Sequence, residues 1–153
     1  MVAETPSVHA SAVLAGAHAV LIRGPAGSGK SQLALALIQA AETGLLRFAR
    51  LIGDDRLHLE VHHGRLLVRA ASTLAGLIEV RGLGIRRLDY EPVAVVGLVV
   101  DLAAEDAERM PTTGDTVLMG VTVRRLALPA GAVPLAPVLA VLRSPDGDIK
   151  PPL

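Results

Sequence analysis

One stretch near the start of the chain limits what the rest can become. Residues Gly24-Pro25-Ala26-Gly27-Ser28-Gly29-Lys30-Ser31 fit Gly-x-x-x-x-Gly-Lys-Ser/Thr, the loop whose backbone N–H groups cradle phosphate. Its surroundings have the right character. Ala17 to Ile22 is a short apolar run suited to a buried strand, and Ser31 to Glu42 is rich in strong helix formers. A strand, a glycine-rich turn and a helix N-terminus aim several donors at one point, where the helix dipole also favours an anion. In such a loop Lys30 is predicted to reach the β- and γ-phosphates of a nucleotide, and the Ser31 hydroxyl to hold Mg²⁺.

A Gly/Ser-rich turn could precede a helix by accident, but lysine usage argues against it. The chain has 15 basic residues, of which only Lys30 and Lys150 are lysine. Arginine serves wherever a generic positive charge is needed. A compact ammonium kept among prospective phosphate oxygens implies a chemical requirement.

The remaining composition mostly excludes. A chain of 153 residues fits one domain with a real core, expected over about 7–143 with 144–153 as a loose tail. With one Tyr and one Phe, that core must be built from Val, Leu, Ile and Ala. The formal net charge is zero, so no basic field points to nucleic acid or an anionic membrane. The missing aromatics also remove the stacking platforms of single-strand binders. The absence of cysteine excludes disulfides, thiolate zinc sites and a cysteine nucleophile. No apolar run reaches about 18 residues without a charge or breaker, and the first residues lack a basic region. A soluble, cytoplasmic protein is expected.

Several further stretches carry chemistry or architecture. Val8 to Leu14 reads as a strand with His9 near its start, where a histidine is usually structural. Gly44 suits the residue just past the helix. Arg50 to Asp55 runs apolar residues into the paired carboxylates Asp54 and Asp55, and a buried strand ending in Asp is how a P-loop enzyme carries its metal-side carboxylate. Arg56 to His62 alternates and returns through Arg65 to Arg69 as a hairpin. His58, Glu60 and His62 then share one face, better read as a polar strand face than as a metal cluster. In Ile78 to Ile85, Gly82 and Gly84 interrupt an apolar strand, which suggests a bulge or a close backbone approach. Glu79 and Arg81 lie on one face there and could flank a phosphate. Pro92 to Leu102 reads as a central strand, Ala103 to Arg109 as a short acidic helix, and Thr112 to Asp115 as a turn. One or two strands follow over Thr116 to Leu128, then a short helix over Pro134 to Arg143. Many strands with one strong helix predict an α/β fold with a mixed sheet and the P-loop helix on one face.

Taken together, four stretches resemble the catalytic domain of HPr kinase/phosphorylase. They are the loop Gly24 to Ser31, the pair Asp54-Asp55, the run Glu79-Val80-Arg81-Gly82-Leu83-Gly84-Ile85, and Val8-His9-Ala10 upstream of the loop. Glu108-Arg109-Met110 matches a later Asp-Arg-Leu of that family. The resemblance covers roughly residues 7 to 130. It implies a P-loop kinase domain related in fold to phosphoenolpyruvate carboxykinase, here in a short form without the family's N-terminal domain. It further implies ATP and Mg²⁺ as cofactors and a seryl hydroxyl of the phosphocarrier HPr, or a homologue, as acceptor. Phosphorolysis of phosphoseryl-HPr and a hexameric assembly belong to the same expectation. Carried over by position, Gly24, Pro25, Ala26, Gly27, Ser28, Gly29, Lys30 and Ser31 bind the nucleotide, and Ser31, Asp55 and Glu79 side with the metal. Asp54, near His9, becomes the base, and Arg109 neutralises the transferring phosphoryl. A kinase for a small metabolite, or a nucleotide-sensing module without chemistry, are the competing readings.

Arg109 separates two magnitudes. As a solvated arginine in an acidic segment it contributes about 0.3–0.5 kcal/mol. Against a transferring phosphoryl it is worth roughly 10³–10⁵ in rate. The Arg109→Ala variant is expected to lose at least about a hundredfold in kcat, at little change in Tm. Near-normal turnover would return Arg109 to the surface.

Overall fold

The computed structural model describes residues 7–107 and 112–143. In chain order these form β1 (Ser7–Val8), β2 (Ser11–Ala15), β3 (His18–Arg23), α1 (Lys30–Glu42), β4 (Ala49–Gly53), β5 (Leu57–His62), β6 (Arg65–Ala70), β7 (Leu77–Val80), β8 (Gly84–Arg87), β9 (Ala94–Asp101), β10 (Thr112–Leu118), β11 (Val121–Ala127) and α2 (Leu135–Arg143). The expected tail over 144–153 lies outside the described residues, as does Glu108-Arg109-Met110. Among the described residues, no helix is long and apolar enough to cross a membrane.

The Val/Leu run forms β9, and β9 is central as expected. One of its edges pairs in parallel with β3, from Ala19↔Val96 to Arg23↔Asp101. The other edge is shared. Its first residues pair antiparallel with β6, and Leu98 to Asp101 pair in parallel with β11. The full order is β1-β5-β6-β9-β3-β2-β4, with the β10–β11 hairpin joined through β11. The sheet is therefore mixed, in line with the pattern of many strands and one strong helix.

Each face of the sheet buries its own apolar cluster. On one face α1 buries Leu33, Ala34, Leu37 and Ala40, and the first three join Val20, Ile22, Leu98 and Val100 in one cluster. Val138 and Val141 of α2 join the same cluster. On the other face the sheet curls, and Leu57, Leu59, Leu66 and Val68 of the β5–β6 hairpin pack against Ala12, Leu21, Ile52 and Val99. Gly53 permits that closure, because a Cβ there would lie 2.8 Å from the Ala70 Cβ. At the end of α1, Leu45 N–H donates to the Ala40 carbonyl at 2.8 Å and Gly44 N–H to Ala41 at 3.2 Å. Gly44 closes the helix at φ +84, the left-handed cap its position predicts.

Three local expectations are corrected. The run 78–85 is a hairpin, not one strand: β7 pairs with β8 and Val80 faces Gly84. Gly82 and Gly84, at φ 86 and 88, supply the turn and its exit. Residues 103–107 are turns rather than helix. Ala104 N–H is drawn to the Leu128 carbonyl at 2.9 Å, and Asp106 pairs with Arg125. Thr112 to Asp115 belongs to β10, paired in register with β11, and the reversal falls at Met119-Gly120, whose φ values of 49 and 79 suit a two-residue hairpin turn.

Charged residues fasten the carboxyl ends of the parallel strands. Arg23 ends β3 and grips Asp101, the end of β9, through Nε at 2.7 Å and Nη2 at 2.8 Å. Arg125 donates to the same carboxylate at 2.5 Å and to both oxygens of Asp106. Burial pushes the Asp101 carboxyl up, but its hydrogen bonds and charge contacts with Arg23 and Arg125 outweigh this and hold it below its ordinary value. Such a group adds stability that is fully present above its unfolded pKa, near 3.9, and is lost as pH falls through the lower folded value. Asp101→Asn would leave the two guanidiniums without their shared anion. It is expected to cost about 2–4 kcal/mol at pH 7, a fall in Tm of roughly 4–16 °C, and to flatten the loss of stability below about pH 4. An unchanged Tm and acid slope in thermal melts would contradict this.

Candidate active site

The phosphate loop sits where β3 ends and α1 begins. Gly29 occupies the position before the helix in the left-handed region, φ 100, and no side chain caps the first turn. The leading N–H groups of the helix thus have no side-chain partner, which is how an anion-binding helix start is built. Gly24 has no room for a side chain, since a Cβ would lie 3.1 Å from Leu102 Cβ and collide with Ser28 Oγ. Ser28 Oγ is buried without a hydrogen-bond partner among the described residues. Lys30 folds back over the loop, its Nζ donating to the Gly24 carbonyl at 2.8 Å and to Pro25 at 3.2 Å. An ammonium held only by loop carbonyls is placed to exchange them for phosphate oxygens.

Asp54 is the hub beside it. The residue is 4% exposed, and a buried carboxylate is tolerated only when it is well hydrogen-bonded. Ser11 Oγ donates to Oδ1 at 2.5 Å and Ser31 Oγ donates to the same oxygen at 2.7 Å. Glu79 N–H donates to Oδ2 at 3.1 Å. The loop serine and the strand-end carboxylate are therefore in direct contact. Mg²⁺ keeps several waters and takes few protein oxygens besides substrate phosphates, so the Ser31–Asp54 pair fits that ion.

Asp55 lies on the other side of the chain and faces solvent. Arg56 N–H donates to the Asp54 carbonyl at 2.8 Å, closing a three-residue turn centred on Asp55 at φ 70. A γ-turn with positive φ is the rarer and more strained kind, and such strain clusters at functional sites. His9 Nδ1 stands 3.9 Å from Asp55 Oδ1, with the side chains 74% and 75% exposed.

These groups converge on one cavity of about 660 Å³, whose walls include His9, Lys30, Ser31, Asp54, Asp55 and Glu79. The glycines Gly24, Gly27 and Gly29, together with Ala26, line it too, and Arg81 reaches it from the start of the β7–β8 turn. Pro25 and Ser28 complete the loop without lining this cavity, and Arg109 lies outside the described residues. Sequence reasoning placed Asp54 beside His9 and grouped Asp55 with Ser31. The contacts run the other way, because adjacent residues at a strand end face opposite sides and the inward one is Asp54. Ser11 was not singled out at all. Its signal was a small hydroxyl inside an otherwise apolar strand, where a buried donor needs a partner.

Comparison with known proteins adds an independent line. The sequence model of the family described as HPr Serine kinase C-terminal domain matches residues 1–130. The chain is 28% identical over 127 residues to the HPr kinase/phosphorylase of Mycoplasma mycoides, covering 74% of this chain and 38% of that protein. It is 36% identical over 100 residues to the HPr kinase/phosphorylase of Lactobacillus delbrueckii, covering 65% of this chain and 29% of that one. The chain thus spans well under half the length of these relatives. A solved structure, the Hpr(Ser) kinase/phosphatase from Coxiella burnetii, superposes with a TM-score of 0.74 at 25% identity, covering 91% of this chain and 95% of that one.

Proposed function

The chain belongs to the HPr Serine kinase C-terminal domain family, and on that premise we propose that it is an ATP-dependent protein-serine kinase whose acceptor is the phosphocarrier HPr or a homologue. The observation that carries this reading is the direct Ser31–Asp54 hydrogen bond in the cavity that also holds the exposed Asp55–His9 pair. One carboxylate is committed to the loop hydroxyl, and a second is left facing the space an acceptor must enter. Transfer of the phosphoryl group from phosphoseryl-HPr to inorganic phosphate, which breaks the seryl O–P bond, returns a proton to the seryl oxygen and releases pyrophosphate, forms part of the proposal.

The proposed roles draw on where these residues lie. Mg²⁺, when bound, neutralises charge on the β- and γ-phosphates. The loop amides and Lys30 hold those phosphates and fix the γ-phosphoryl for in-line attack. Ser31 and Asp54 provide the oxygens on the metal side, with Ser11 and the Glu79 N–H keeping Asp54 oriented. Asp55 takes the proton of the attacking seryl hydroxyl as the new O–P bond forms and the β–γ bridging oxygen leaves with ADP. His9 sits beside Asp55 and orients its carboxylate. Glu79 and Arg81 border the entry for the acceptor, and Arg109 retains the charge-neutralising role implied by the family.

Mixing the protein with Mg·ATP and purified HPr, then locating phosphate by mass spectrometry, tests the activity. Phosphoseryl-HPr is expected, whereas ATP bound without transfer would indicate a sensing module. The two aspartates test the roles. Asp55→Asn is expected to lower kcat by about 10²–10⁴-fold with ATP affinity retained. Asp54→Asn is expected to raise the Mg²⁺ concentration needed for half-maximal rate. The opposite pattern in a magnesium titration would restore Asp54 as the base.

A further inference from the structure

Along one edge of β9 the pairing partner changes, and an opening lies where it does. Ala94 and Val95 face β6, and Leu98 to Asp101 face β11. Val96 and Gly97, between them, have no register partner on that edge. On the other edge the register with β3 shifts between Ala19 and Val20, so Gly97 stands opposite no residue there either. A cavity of about 430 Å³ occupies this fork, walled by the first residues of β3, β6 and β11 and by Val95 to Gly97. His18 begins β3, whereas Arg23 at the other end leads into the phosphate loop. Strand rise puts roughly 16 Å between those two ends. The fork and the reactive cavity share no wall residue.

We propose that this fork binds a small organic anion carrying two or more negative charges, a phosphate ester or a polycarboxylate. The walls supply the opposite charge. Arg65 of β6 and Arg124 of β11 both line the cavity, His18 joins them, and no acidic side chain is among its described walls. Arg23, Arg50 and Arg125 are each paired with a carboxylate, but neither Arg65 nor Arg124 forms an ion pair among the described residues. Asp115 stands opposite Arg124 in the β10–β11 register, yet it lies outside these walls. Two guanidiniums lining one space without a counter-charge repel each other, and an anion between them removes that repulsion. Their forks match the oxygens of carboxylate and phosphoryl groups alike. His18 keeps an N–H to donate in either ring form. Gly97 makes room for this arrangement, since a Cβ there would lie 2.7 Å from His18 Cβ. Buried Leu66 and Val123 add apolar wall for the carbon frame of a ligand, and the volume suits a small molecule. The inference stands apart from the function proposed for the phosphate loop.

Titration of the ¹⁵N-labelled full chain, followed by amide NMR shifts, tests the inference with glycerol 2-phosphate in one series and citrate in another. Salt at about 150 mM screens loose attraction to a basic surface. Saturable shifts are expected at the Gly97 and Thr122 amides with at least one probe, and the series that saturates names the ligand class. Arg65→Gln and Arg124→Gln should each weaken that binding by about tenfold or more, as loss of a charged hydrogen-bond partner does. Their spectra also report whether they fold, and one folded variant is enough to decide. Shifts that never saturate, shifts confined to the amides of Gly24 to Ser31, or variants that bind like the unaltered chain overturn the inference. None of these results touches the phosphate-loop reading, which titration with ATP decides separately.

Discussion

A single buried carboxylate holds the site together. Asp54 draws Ser11 from β2, Ser31 from the first turn of α1 and the Glu79 backbone from β7 onto its two oxygens. Burying that charge without such partners would be prohibitive, so each donor is as much a condition of the fold as of the chemistry. The consequences run outward. Ser31 is fixed at the start of the helix, where a phosphate-bound metal would need it. The β7–β8 hairpin is tied at Glu79 N–H, which brings Glu79 and Arg81 to the cavity wall. Asp55, next in the chain, is then turned towards solvent and His9.

A second set of charges fixes the opposite flank of the loop. Arg23 immediately precedes Gly24, and its bidentate grip on Asp101 aligns the ends of β3 and β9. Arg125 extends the alignment to β11 and on to Asp106. The backbone continues the ladder past the strands, with Leu102 N–H on the Arg23 carbonyl and Leu128 N–H on Asp101. One network thus fixes the strand ends from which the phosphate loop departs. The Arg125 guanidinium, hydrogen-bonded to Asp106 and Asp101, is pushed further above its already high pKa and stays charged at any pH the fold survives.

What was legible in the sequence was mostly local. The loop, its helix, the Gly44 cap and the β5–β6 hairpin each depend on residues close in the chain, where period and turn chemistry act directly. The central place of β9 was readable from its unbroken apolar run. The β7–β8 hairpin was not, because glycines in an apolar stretch suit a bulge as well as a turn. The side-chain contacts of Asp54 and Asp55 were hidden for a different reason. The pairing of β2 with β4 shifts register between Ala12 and Val13, and a one-residue shift turns a side chain to the other face. Nothing in the order Gly-Asp-Asp announces that shift. Ser11 and the Arg23–Asp101 pair escaped because their partners lie 43 and 78 residues away in the chain.

The central claim is that this chain presents a preformed phosphate cradle whose reactive end points at Asp54. A crystal structure with Mg²⁺ and a non-hydrolysable ATP analogue tests it most directly. The account predicts that Lys30 Nζ leaves the Gly24 and Pro25 carbonyls for phosphate oxygens. It also predicts that the γ-phosphate lies next to Ser31 and Asp54, within reach of an acceptor beside Asp55. A γ-phosphate on the Leu128–Pro134 side of the loop, or a Lys30 still bound to the two carbonyls, would contradict it.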